Sequence, residues 1–245
     1  MGATTGIQWT DATWNPWMGC RKVSPACAHC YMFSEQRRYG HDPDVVRRSK
    51  TTFDAPLRWP VEQKRVFTCS WSDWFIEDAD EWRPEAWEVI RHTPHLTYQI
   101  LTKRPELIAD RLPGDWGRGW PNVWLGVSVE NRRFVWRAEW LAAIPAVVHF
   151  LSCEPLLGPL DLSSSVLDSS GPHMEWVIAG GESGARARAT DLAWLRSLRD
   201  QCQGVHVPYF VKQIGVVAAG GRGKGGDMEA WPEDLRVREM PERAA

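Results

Sequence analysis

No apolar run in this chain approaches the roughly 20 residues that a membrane-spanning helix needs, so a helical membrane protein is not expected. An excess of charge is also lacking. Lys and Arg total 29 against 31 Asp and Glu, a formal net charge of -2. That balance excludes a global attraction to nucleic acid and leaves room only for a local basic face. The first residues, Met1-Gly-Ala-Thr-Thr-Gly-Ile-Gln-Trp9, have neither a basic region nor an apolar stretch. No signal peptide is expected there, and the chain is expected in the cytoplasm, where thiols stay reduced. The glycine-rich stretch Gly220-Gly-Arg-Gly-Lys-Gly-Gly226 lacks Walker A spacing and does not sit between a strand and a helix. It reads as a mobile loop, with a substrate lid as the alternative.

Cysteine is sparse but unevenly placed. Of 6 cysteines, three fall in one short segment as Cys20, Cys27 and Cys30, spaced C-x6-C-x2-C. In a reducing compartment such spacing points to metal binding rather than disulfides. Three thiolates that converge suit an iron–sulfur cluster with one iron left open. A structural zinc site normally takes four protein ligands, so zinc would need His29 or another side chain beside them. Cys202 reads as buried filler on an amphipathic helix and Cys153 as a packed thiol. Tryptophan is abundant, with 16 residues. Trp9, Trp14, Trp17, Trp71 and Trp74 cluster around the cysteine segment and the strand after it. Core packing explains most of them, and stacking on a cofactor or base is the alternative.

Six short apolar runs follow: Val66–Ser70, Leu96–Leu101, Val123–Val129, Val147–Ser152, Trp176–Ala179 and Val207–Val211. Their hydrophobicity is continuous, as in strands buried on both faces. Helical candidates lie between them near Arg83–Arg91, Pro105–Arg111, Arg132–Ala143 and Leu192–Gln203. This alternation predicts an α/β fold, a full or partial (β/α) barrel with a parallel sheet of six or seven strands. Polar residues gather after each run: Ser70, Ser72 and Asp73, then Lys103, Glu130, Glu154, Glu182 and Lys212. In a parallel barrel the carboxyl ends of the strands build the active site, so this recurrence predicts a polar pocket there. Asp73 also reads as a helix cap, Lys212 as a surface charge paired with a neighbouring Glu, and the glycines around Glu182 as a tight turn.

Taken together, these motifs resemble a phage-associated three-cysteine family of unknown function, placed in or beside the radical S-adenosylmethionine (SAM) superfamily. The likeness is carried by Gly6-Ile-Gln-Trp-Thr-Asp-Ala-Thr-Trp-Asn-Pro16, the cysteine run, Ser70-Trp-Ser-Asp-Trp-Phe75 and Leu101-Thr-Lys-Arg-Pro105. It continues through Leu125-Gly-Val-Ser-Val-Glu-Asn131, Leu151-Ser-Cys-Glu-Pro-Leu-Leu-Gly158, Ala179-Gly-Gly-Glu-Ser-Gly184 and Val211-Lys-Gln-Ile-Gly215. A more distant likeness links Cys30-Tyr31 and Cys69-Ser-Trp-Ser-Asp73 to spore photoproduct lyases, which are radical SAM enzymes. The spacing departs from the usual superfamily C-x3-C-x2-C by three extra residues in the first interval.

The resemblance implies a radical SAM-like (β/α) barrel over residues 1–215, with the cluster loop near 14–31 and a glycine-rich loop and tail over 216–245. It implies a 4Fe–4S cluster on Cys20, Cys27 and Cys30, whose electron cleaves bound SAM, supplied by an external electron donor. Ser70, Ser72 and Asp73 would meet the SAM amino and ribose groups, and His29 the adenine. Lys103, Glu130, Glu154, Glu182 and Lys212 would bind SAM or substrate. Cys69, beside Tyr31, would donate a hydrogen atom to a substrate radical. The expected substrate is a nucleotide or nucleic-acid base, with Arg37-Arg38, Arg47-Arg48, Arg132-Arg133, Arg186 and Arg188 as phosphate contacts or merely solvated charges. The rival expectation is a non-catalytic, zinc- or cluster-stabilised nucleic-acid-binding or accessory protein.

Overall fold

The apolar runs become strands. The computed structural model describes residues 4–60, 64–167, 173–221 and 223–242; Arg222 of the glycine-rich stretch lies outside them. The strands are β1 (Ala12–Trp14), β2 (Trp17–Met18), β3 (Arg47–Arg48), β4 (Lys64–Thr68), β5 (Leu96–Thr102), β6 (Val123–Ser128), β7 (His149–Cys153), β8 (Trp176–Gly180) and β9 (Tyr209–Gln213). The α-helices are α1 (Tyr31–Arg38), α2 (Arg83–Arg91), α3 (Trp136–Ala142) and α4 (Leu192–Gly204).

Seven strands form one sheet in the order β1-β4-β5-β6-β7-β8-β9, and β2 pairs antiparallel with β3 outside it. Within the large sheet the chain never doubles back, which is the singly wound order of a (β/α) barrel rather than of a doubly wound sheet. The pairings β1–β4, β4–β5, β7–β8 and β8–β9 are parallel. Every residue of β6 and β8 is buried, as the unbroken apolar runs require of strands covered on both faces. The fold is therefore α/β and barrel-like.

All six expected strands form, within a few residues of their expected bounds. Strand β1 carries no comparable run: its three residues, Ala-Thr-Trp, sit just before the cysteine segment. Helices α2 and α4 match their expected spans. Pro84 at the start of α2 brings no N–H that needs a partner, and the Asp191 side chain caps α4 by accepting from Ala193 N at 2.8 Å. The expected helix over Pro105–Arg111 instead forms two 3-10 turns, Pro105–Leu107 and Ala109–Arg111. Helix α1 was not anticipated. Arg37 and Arg38 in its last turn complement the helix dipole, and Gly40 at φ +74° ends it.

The chain packs into two compact units. The first comprises residues 1–23, 30–126 and 144–147, and its core is aromatic. Trp74 lies 5.7 Å from Trp14, 4.9 Å from Trp17 and 5.0 Å from Trp87, measured between ring centroids. Trp87 in turn lies 5.5 Å from Trp120. The tryptophans around the cysteine segment are thus core residues, except Trp71, which stays partly exposed. The second unit comprises residues 24–29, 127–143 and 148–245. Its C-terminal stretch is integrated: Val211 N donates to Val237 O at 2.9 Å, and Trp231 is buried. Among the described residues no helix is long and apolar enough to cross a membrane.

Candidate functional site

In the first unit, the loop carrying Cys20 is tied to the loop that leaves β4. Gly19 adopts φ +98°, a conformation suited to glycine, and a Cβ there would strike the Val45 carbonyl. Gly19 N donates to Trp71 O at 3.0 Å, and Ser72 Oγ donates to Gly19 O at 2.6 Å. Asn15 fastens the same loop from β1, accepting from Trp71 N at 2.7 Å and donating to Ser70 Oγ at 3.0 Å. Both serine hydroxyls expected near SAM therefore have protein partners already.

Asp73 is the hub of this joint. Its Oδ1 accepts from Thr102 Oγ1 at 2.7 Å and Phe75 N at 3.0 Å. Its Oδ2 accepts from Lys103 N at 3.0 Å and pairs with Arg104 Nη1 at 3.0 Å. Both members of that ion pair are buried. Asp73 acts as more than the helix cap the sequence allowed, because it binds two strand ends together. Arg104 also reaches the cysteine loop, with Nη1 3.9 Å from Cys20 Sγ and Nη2 donating to Arg21 O at 3.0 Å. Burial works against its charge, but Asp73 and the Cys20 sulfur outweigh burial and raise its pKa. Sequence reasoning named Lys103 and passed over Arg104 and Asn15. Only the register of β5 shows which of two adjacent cations turns inward.

Cys69 is buried and holds φ +55°, a left-handed backbone that costs a non-glycine residue about 1–2 kcal/mol. Its N–H donates to Trp14 O at 2.8 Å and its carbonyl accepts from Ser72 N at 3.0 Å. Burial pushes the thiol pKa well up, and the Asp73 carboxylate pushes it further. Cys69 therefore stays an S–H group at neutral pH. Tyr31, half exposed at the start of α1, donates to Ser70 O at 2.8 Å. Cys69 and Tyr31 thus meet the same four-residue loop.

In the second unit, each carboxylate at a strand end has a cation of its own. Glu130 and Arg137 pair at 3.0 Å in full burial, with Arg137 also donating to Ser128 O at 3.0 Å. Glu154 pairs with Lys212 at 3.1 Å, the neighbouring-Glu arrangement read from the sequence. Glu182 takes a fork from Arg188, Nη2 to Oε1 at 2.6 Å and Nε to Oε2 at 2.8 Å, plus Arg188 N to Oε2 at 2.7 Å. His29 Nδ1 lies 3.2 Å from the same oxygen. Burial alone would raise the Glu182 pKa, but Arg188 and His29 pull it down to about 2. The glycines before Glu182 serve close backbone packing. A Cβ on Gly181 would stand 2.5 Å from Ile214 O and 2.7 Å from Gly215 Cα. Gly225 packs on Gly215 in the same way, so that end of the glycine-rich stretch is seated, and its carbonyl accepts from Ile214 N at 2.9 Å. Cys153 and Cys202 are buried thiols, as expected.

All six cysteines are free thiols. Cys27, in the second unit, is buried at the end of a 3-10 turn over Pro25–Cys27, and Cys30 is the residue before α1. Among the described residues, no group of three or more His, Cys, Asp and Glu side chains is placed to hold a metal ion. In a recess of about 620 Å³ lined in part by Asp80, Arg83, Trp87 and Arg111, Asp80 pairs with both arginines. No curated protein and no solved structure matches the chain. A family model described as Protein of unknown function (DUF5131) matches residues 4–236. The chain belongs to that family.

Proposed function

We propose that this protein is an iron–sulfur enzyme of the radical SAM type that modifies or repairs a nucleotide or nucleic-acid base. The observation that carries the reading is the C-x6-C-x2-C segment, lying between β1 and β4 of a singly wound parallel sheet whose strands are followed by polar residues. The donor chemistry is compatible: a buried, fixed guanidinium 3.9 Å from Cys20 Sγ favours thiolate over thiol there. Cys20, Cys27 and Cys30 would hold a 4Fe–4S cluster, which supplies the one-electron reduction that splits a carbon–sulfur bond of SAM. Among the described residues no group of three or more His, Cys, Asp and Glu side chains is placed to hold a metal ion, so the spacing carries the assignment.

The chain's own residues have separable tasks in this reading. Arg104 steadies the Cys20 end of the loop, and Asp73 steadies Arg104. Cys69, kept protonated, holds a transferable hydrogen atom beside the loop that Tyr31 touches. Lys212, His29 and Arg188 are partly exposed, so a ligand can reach their polar groups.

Anaerobic purification with iron, sulfide and zinc analysis tests this. About four irons per chain, lost in the Cys20→Ala, Cys27→Ala and Cys30→Ala variants, is the expected outcome. Reduced protein should then release 5′-deoxyadenosine from SAM. One colourless zinc per chain, or a full cluster in the triple variant, would overturn the reading.

A further inference from the structure

We propose that α1 and the loop after β4 form a docking surface for single-stranded nucleic acid, with bases stacking at Tyr39 and Trp71 and phosphates held by Arg37 and Arg38. Most arginines of the first unit commit their guanidinium groups to carboxylates: Arg48 to Glu85, Arg58 to Asp54, Arg65 to Asp11, Arg91 to Asp115, Arg111 to Asp80. Arg37 and Arg38 are exposed, and among the described residues neither guanidinium has a partner. Helix-dipole complementarity explains one cation in a last turn; it gives no reason for aromatic residues beside two.

The aromatic residues are the second observation. Tyr39 follows α1 directly and is 61 % exposed. Its ring centroid lies 6.2 Å from that of Trp71, with planes inclined by 30°. Trp71 is the member of the tryptophan group around the cysteine segment that the core does not absorb. Tyr31, at the other end of α1, is 51 % exposed and bonded to Ser70 O. Aromatic faces flanked by unneutralised cations are the composition of a single-strand platform: bases stack without regard to sequence while cations track the backbone. A duplex hides its base faces and cannot use them. The occupant is thus a single strand, DNA or RNA, lying along α1 beside the Ser70–Ser72 loop. That a base then reacts at this loop rests on the function proposed above; the binding itself does not.

The test is fluorescence anisotropy on the full chain, kept anaerobic and without SAM, using labelled oligothymidine and oligouridine of about 12 nucleotides and the matching duplex. Binding of at least one single strand more tightly than the duplex is expected. Tyr39→Ala should weaken it about 5- to 100-fold while Tyr39→Phe retains it. Arg37→Gln/Arg38→Gln should weaken it and reduce the slope of log affinity against log salt by about 1.4. All four side chains are at the surface or partly so, and melting curves of the variants should match the parent. Absence of single-strand binding, tighter duplex binding, or parental affinity in folded variants would overturn the proposal. Strand binding without SAM cleavage would uphold this surface and defeat the proposed reaction; cleavage without strand binding would do the reverse.

Discussion

The two acidic hubs of this protein look alike in sequence and differ in what surrounds them. Asp73, in the first unit, lies within a sealed joint, with four partners and a buried arginine. Glu182, in the second, has an equally full set of hydrogen bonds, yet its partners Arg188 and His29 remain a quarter to a third exposed. The first arrangement fixes one loop on another. The second leaves the Arg188 guanidinium and the His29 ring partly facing solvent, where a ligand can compete for them. Ion pairing alone does not separate a construction joint from a recognition site; the exposure of the cation does.

The sharpest way to break this comparison is to remove each carboxylate. Asp73→Ala leaves Arg104 buried and uncompensated and should cost about 3–5 kcal/mol, read from urea unfolding. A loss under about 1 kcal/mol would mean that the joint is not sealed. Next comes the backbone packing behind Glu182. Gly181→Ala forces a Cβ against the Ile214 carbonyl and should cost about 1–3 kcal/mol, seen as a lower melting temperature.

Glu182→Gln should be milder, about 1–2 kcal/mol at neutral pH, because Arg188 can turn to water. Its pH dependence is distinctive. The folded pKa, about 2, lies below the ordinary Glu value of 4.5. The unfolded chain therefore binds the proton first, and the stabilisation is complete above about pH 5 and lost as pH falls towards about 2. The stability gap between parent and Glu182→Gln should close over that window; a gap independent of pH would refute the assignment. The smallest effect on stability belongs to Cys69→Ala, under about 1 kcal/mol, since one buried atom is removed and the backbone strain stays. Iron content and SAM cleavage should be unchanged in that variant while product fails to form, followed by deuterium transfer from solvent to product. Unaltered product and label would remove Cys69 from the chemistry.

Much of this architecture was legible in the residues. Continuous apolar runs gave away β4 through β9, because strands covered on both faces cannot alternate. The stretches between the runs marked α2 and α4 as helical candidates, and the structure adds Pro84 and Asp191 at their starts. The cysteine spacing needed no structure to stand out, and the polar strand ends were visible as a recurrence. Strand β1 was not, because three residues carry no period, and α1 was hidden by the cysteine motif at its head.

The sequence by itself determined the α/β alternation and the strand-end placement of Asp73, Glu130, Glu154 and Glu182, and it set the close spacing of three cysteines along the chain. Local pattern suffices for these, since burial on one or both faces dictates residue type position by position. Only the tertiary structure decided which cation each carboxylate takes, why Arg104 rather than Lys103 turns to Cys20, and why Trp71 stays outside while Trp14, Trp17 and Trp74 go in. Those choices join residues tens of positions apart, so strand register and the competition for interior volume settle them.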